Sequence, residues 1–148
     1  MTTRNKKLVD ALTSTMKINP NDYSALATSP NRLQSLGYAL AGWLYMLRHQ
    51  KNTRIMSFAS AVVFALAAWL QIDLAGWAVL TLTIAMVWMA EFLNAAVEAV
   101  INLVSPTYHP MAKVGKDVAA AAVLLAVVAS IIIGLLILGP PLLIRLNG

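Results

Sequence analysis

Cysteine is absent from the 148 residues, which excludes a disulfide framework and any thiolate metal site. Charge is scarce as well: 11% of the residues are Asp, Glu, Lys or Arg, and only six of them are acidic. With 59% hydrophobic residues, the chain is too apolar for an ordinary soluble domain. There are two histidines, His49 and His109, on different segments and with no companion at ligand spacing, which argues against zinc. A phosphate-binding Gly-x-x-x-x-Gly-Lys-Ser/Thr loop is missing, because Gly115-Lys116 is followed by aspartate. The soluble-kinase signature set is missing too. The polar start, Met1 to Lys7, lacks the apolar stretch of a cleaved signal peptide.

What is present is apolar sequence in long runs. Ile55 to Ile72 is uninterrupted and of spanning length, since a bilayer core needs roughly 20 helical residues. A polar turn, Gln71 to Gly76, follows, with Trp69 and Trp77 at the depth favoured by interfacial aromatics. The second run continues to Val104, longer than the hydrocarbon requires. A proline-bounded loop, Ser105 to Pro110, leads to a third run from Val118 to Leu138, closed by Gly139-Pro140-Pro141. Before these runs, Leu33, Leu36, Leu40, Trp43, Leu44 and Leu47 form the apolar stripe of an amphipathic helix suited to the membrane interface.

The fold expected is all-α and integral to a membrane: three transmembrane helices and an N-terminal amphipathic interfacial helix. Residues 1–30, with breakers at Pro20 and Pro30, read as a polar arm, and residues 31–148 as the membrane domain. Within the latter, the interfacial helix covers 31–54 and the spans about 55–72, 76–104 and 117–139. The net charge of +5 needs no nucleic-acid partner. Basic residues up to Arg54, with Lys113 and Lys116, fall on one side of the three spans, and Arg145 on the other. That bias makes the basic side, and the N-terminus, cytoplasmic.

One stretch breaks the apolar pattern. Glu91, Asn94, Glu98 and Asn102 stand at i, i+3, i+7 and i+11, so a helix places all four on one stripe. Ionisable residues in membrane segments are costly and usually face a bundle interior or a watery cavity, where they mark a functional site. Asparagines alone would serve to join helices by hydrogen bonds, but two carboxylates repel and make poor glue. Counted from the turn, the second span leaves the membrane near Glu98 and Asn102, with Glu91 one to two turns inside. The stripe therefore opens on the cytoplasmic side, together with Gln50, Arg54, His109, Lys113, Lys116 and Asp117. Carboxylates with an amide oxygen suit Mg²⁺, which keeps several waters and bridges to phosphates. A lysine beside them adds a point charge for a phosphate, and a remaining carboxylate can act as general base on a hydroxyl. These are the parts of phosphoryl transfer. Read separately, His109 orders a loop, Lys113 snorkels, and Lys116 and Asp117 are a snorkelling lysine and a helix cap.

The quoted residues resemble the small prokaryotic integral-membrane lipid kinases, comprising diacylglycerol kinase and undecaprenol kinase. The similarity is carried by Ala90-Glu-Phe-Leu-Asn-Ala-Ala-Val-Glu98, Tyr108-His-Pro-Met-Ala-Lys113 and Gly115-Lys-Asp-Val-Ala-Ala-Ala-Ala-Val-Leu124. Weaker matches cover Gly37 to Gly42 and Lys51 to Arg54, and the likeness runs from about Arg32 to the end of the third span. The resemblance implies a homotrimer with sites shared between neighbours, ATP as co-substrate, Mg²⁺ as cofactor and a membrane lipid as acceptor. It implies Glu91 as general base, Glu98 as Mg²⁺ ligand supported by Asn94, and Lys116 and Asp117 at the ATP phosphates. Tyr38 and His109 would lie by the nucleotide. Two positions depart from the family pattern. Gln50 replaces the glutamate expected as the second metal ligand, and Asn102 replaces an aspartate; both keep shape and remove charge. The resulting expectation is phosphorylation of a lipid alcohol, nominally diacylglycerol. Undecaprenol is the alternative acceptor, favoured by the His-Pro-Met-Ala-Lys run, and a catalytically silent scaffold or lipid-binding subunit is the alternative of another class. A proton relay lacks ionisable residues continuing to the opposite face.

Overall fold

The computed structural model describes Thr13 and residues 32–147, so the polar arm expected over 1–30 falls, Thr13 apart, outside the described residues. Among these residues all regular structure is helical: α1 (Arg32–His49), α2 (Lys51–Leu70), α3 (Leu74–Val104) and α4 (Pro110–Asn147). The chain divides into two compact units, Met1–Arg54 and Ile55–Gly148.

In the first unit, α1 buries its small-residue face, Gly37 and Ala41, together with Met46. The apolar stripe faces outward, with Leu33 61% and Leu36 58% exposed. The helix closes earlier than the 31–54 read from the pattern. His49 stacks on Tyr45, with ring centroids 4.4 Å apart, and its Nδ1 donates to the Tyr45 carbonyl at 3.1 Å. Gln50 is the break, its N–H donating to Met46 O. Lys51 to Arg54 therefore belong to the first turn of α2 rather than to α1.

In the second unit, α2, α3 and α4 are 20, 31 and 38 residues long, each long and apolar enough to cross a membrane. Their outward residues are apolar too: Phe58 is 73% and Leu125 71% exposed, an arrangement suited to lipid rather than water. The turn between α2 and α3 has defined chemistry. Gln71 takes a left-handed conformation (φ 53°), its N–H bonds to Ala68 O, and the Ile72 N–H bonds to Ala67 O. This is a Schellman closure, with glutamine at the position usually held by glycine. Asp73 then caps α3, its Oδ1 accepting from the Gly76 N–H at 2.9 Å. The fully apolar core sits beside this turn: Ala67, Leu70, Leu80 and Leu138, flanked by Val63, Leu66, Ile72, Trp77, Ile137 and Leu142. Further along, Trp77 stacks on Phe64 and Trp88 Nε1 donates to Ser60 Oγ, which ties α3 to α2.

Helices α3 and α4 run antiparallel, with close glycine approaches towards both ends. A Cβ on Gly76 would stand 3.3 Å from Ile137 Cγ2, and one on Gly115 2.9 Å from Ile101 Cδ1. The ends of α4 lie outside the expected 117–139. It begins at Pro110 because proline suits the first helical position and His109 caps it, Nδ1 accepting from the Met111 N–H at 3.2 Å. It also continues through Pro140 and Pro141 to Asn147. Those prolines remove the intrahelical donors to the carbonyls of Leu136 and Ile137, a loss that membrane helices tolerate when local adjustments satisfy the freed groups. Beyond them, the Arg145 guanidinium lies 4.9 Å over the Trp69 ring.

Candidate functional site

The buried residues of α3 are Gly76, Leu80, Thr83, Val87 and Glu91, one stripe at steps of three and four. The packing seam and the polar stripe are thus the same line along the helix, apolar at the turn end and polar at the other. Thr83 satisfies itself, Oγ1 donating to Val79 O at 2.7 Å. Glu91 does not: it is 3% exposed, and no hydrogen bond or ion pair engages its carboxylate among the described residues. One turn on, the half-buried Asn94 has its Oδ1 fully enclosed and without a donor among the described residues. Glu98 is half-buried and Asn102 exposed, so the line opens progressively towards the loop. A rise of about 1.5 Å per residue puts Glu91 and Glu98 about 10 Å apart along the axis, two turns rather than one.

Across from the open end, α4 brings Lys116 to the stripe. Its Nζ donates to Asn102 Oδ1 at 2.7 Å, next to the close approach of Gly115 to Ile101. Asp117 is on the exposed side of α4 and pairs with Lys113, both 61% exposed. His109 is exposed in the loop and caps α4 as described. Tyr38 and Gln50, both half-buried, lie in the first unit and are not part of this line. Sequence pattern alone missed the Lys116–Asn102 bond, though adjacent pairs Ile101-Asn102 and Gly115-Lys116 carried the signal: a glycine beside a lysine where two helices must touch.

The residues fit a hard cation to a limited extent. Among the described residues no group of three His, Cys, Asp or Glu could hold a metal. An enclosed amide oxygen without a donor, one turn from a carboxylate, is the donor set of an ion that takes few protein ligands and completes its shell with water and phosphate.

Residues 37–138 match the family model described as prokaryotic diacylglycerol kinase, more than half of the chain. The chain belongs to that family. Over 121 residues it is 44% identical to a diacylglycerol kinase of Synechocystis sp., covering 81% of this chain and 69% of the relative. An undecaprenol kinase of Bacillus subtilis is 35% identical over 95 residues, 64% of this chain and 77% of its own length. A diacylglycerol kinase of Escherichia coli is 28% identical over 100 residues, 68% and 82% of the two chains. As a prokaryotic diacylglycerol kinase family member the protein is a membrane lipid kinase, and the polar stripe of α3 lies wholly inside the matched residues.

Proposed function

We propose that the protein transfers the γ-phosphate of ATP to the hydroxyl of diacylglycerol at the cytoplasmic face of the membrane, yielding phosphatidic acid and ADP. The observation that carries this reading is Glu91, a buried carboxylate with no hydrogen-bond or ion-pair partner among the described residues, on a stripe that opens towards Lys116. A carboxylate in that position is available to take a proton from a lipid hydroxyl arriving from the bilayer side. As the hydroxyl oxygen bonds to the γ-phosphorus, the bond from that phosphorus to the β,γ-bridging oxygen breaks. ADP leaves with the electron pair, and the hydroxyl proton passes to Glu91. Lys116 offers its ammonium to the phosphates, and Asp117, held by Lys113, organises the same turn. Tyr38 and His109 lie by the nucleotide in this reading. Mg²⁺ would be held by Glu98 and Asn94, with the Gln50 carbonyl as a further oxygen, and would supply charge neutralisation on the phosphates. The working unit is a homotrimer whose sites are shared between neighbouring chains, consistent with the apolar residues that the spans leave exposed.

Diacylglycerol is favoured by the 44% identity to the Synechocystis enzyme of that name. Undecaprenol is the second reading, supported by the Bacillus subtilis relative and by the run His109 to Lys113. The deciding experiment offers the two lipids separately in mixed micelles with γ-labelled ATP and Mg²⁺, with Glu91→Gln as control. Transfer to diacylglycerol that the substitution abolishes is the expected result. Transfer to undecaprenol alone moves the assignment to that lipid. Folded protein that labels neither is the silent scaffold that Gln50 and Asn102 also allow.

A further inference from the structure

We infer that Trp88, fixed in place by Ser60, is the specificity-determining wall of the lipid path to Glu91: the chain of the acceptor alcohol lies against its indole while the hydroxyl meets the carboxylate. The inference rests on the kinase reading above and concerns how that site selects its lipid.

The two flanks of Glu91 are closed in different ways. On one flank the backbone of α4 packs against α3, with Gly76 close to Ile137 and Gly115 close to Ile101. Beneath Glu91 on the same stripe, Val87, Thr83 and Leu80 are buried. That side leaves no room for a lipid chain. On the other flank α2 meets α3 through side chains. Trp88 Nε1 donates to Ser60 Oγ at 3.2 Å, and the indole stands edge-on to Phe92, with centroids 5.7 Å apart and planes at 85°. At about 100° per residue, Trp88 and Phe92 lie roughly 60° and 100° round the helix from Glu91. Met89, exposed and apolar, follows further round in the same sense. The two half-buried rings therefore stand between the lipid-facing surface of α3 and the carboxylate.

Depth points to the same residue. Trp88 precedes Glu91 by three residues, about 4.5 Å along the axis away from the open end. A lipid whose hydroxyl sits at Glu91 and whose chain runs into the bilayer has its first few carbons at that level. The Ser60 bond fixes an indole that would otherwise turn about two torsions, and apolar surroundings offer its N–H no water in exchange. The two candidate acceptors differ at this depth. Diacylglycerol branches next to its hydroxyl-bearing carbon, whereas a polyprenol continues as one flat, unsaturated chain. A rigid wall here discriminates between them; a loose one does not.

The test uses the full chain in mixed micelles, with Ser60→Ala, Ser60→Thr, Trp88→Phe and Trp88→Ala beside the unaltered protein. Separate KM values for lipid and ATP are measured with the unfolding temperature. Binding is read independently of transfer, by quenching of tryptophan fluorescence. The quenchers are diacylglycerol and a polyprenol, each brominated near its hydroxyl end, against brominated phosphatidylcholine, which has no free hydroxyl. Ser60→Ala and Trp88→Phe raise the lipid KM about threefold, the scale of one interhelical hydrogen bond in a membrane, and leave the KM for ATP unchanged. Ser60→Thr, which keeps a hydroxyl, restores the lipid KM. Trp88→Ala raises it further and narrows the preference between the two lipids. One brominated alcohol quenches the unaltered protein beyond phosphatidylcholine, and Trp88→Phe abolishes that excess. A merely structural bond predicts lower unfolding temperatures with the lipid KM and the excess quenching retained, and that result overturns the inference. Excess quenching that depends on Trp88, in protein that phosphorylates no lipid, upholds the wall and refutes the kinase reading. Transfer without any quenching at Trp88 overturns the inference alone. Neither transfer nor excess quenching overturns both.

Discussion

Replacing Glu91 by glutamine should separate activity from stability in opposite directions. The side chain is 3% exposed and continues the packing stripe of Gly76, Leu80, Thr83 and Val87, so position alone would class it with the core. Glutamine has the same shape and leaves no cavity. It also removes a carboxylate that has no hydrogen-bond partner among the described residues, and leaving an ion unpaired in a buried side chain is destabilising. The unfolding midpoint of Glu91→Gln should therefore equal or exceed that of the original. Loss of a general base lowers the rate by about 10²- to 10⁴-fold, so phosphate transfer should fall by that factor. Leu80→Ala is the comparator, because Leu80 is 2% exposed on the same stripe but at the turn end. In lipid the water-to-oil transfer contribution is largely absent, leaving the cavity and packing loss of about 2 kcal/mol, the lower end for Leu→Ala. That variant should unfold earlier while its folded fraction keeps kcat. The assay is γ-phosphate transfer beside thermal unfolding in the same micelles. If Glu91→Gln kept activity within tenfold, or unfolded well below the original, the carboxylate would be a packing element and the base would lie elsewhere.

Further outcomes follow from the turn and from Gln50. Gln71 holds a left-handed conformation that glycine adopts without strain, so Gln71→Gly should raise stability by up to about 1 kcal/mol, read as a higher unfolding midpoint with unchanged kinetics. Asp73→Ala removes the cap on the Gly76 N–H and should cost about 1 kcal/mol by the same measurement, again without altering phosphate transfer. Gln50→Glu adds a carboxylate where the proposed function uses an amide oxygen. The Mg²⁺ concentration for half-maximal activity should fall severalfold, and an unchanged Mg²⁺ dependence would remove Gln50 from the metal site.

Much of this protein is decided locally and was legible before any packing was known. Apolar runs of spanning length become helices of 20, 31 and 38 residues because lipid leaves the backbone no other hydrogen-bond partner. The spacing of Glu91, Asn94, Glu98 and Asn102 puts them on one line whatever surrounds the helix. The family likeness rests on the same residues. Other features depend on what lies across from a side chain, and these only the tertiary structure decided. Burial of Glu91 and enclosure of Asn94 Oδ1 follow from packing, not from spacing. Spacing shows that Lys113 can reach Asp117 one turn away, but the bond from Lys116 to Asn102 joins residues fourteen apart. It lies one residue from Gly115, whose missing side chain leaves the space that Ile101 Cδ1 fills. The prolines at 140 and 141 read as a helix end, yet α4 passes through them, since a proline forbids its own hydrogen bonds and leaves the direction of the chain to its neighbours. Periodicity is a property of one helix and can be read from a string; partnership between helices depends on register and distance, which exist only once the helices have packed.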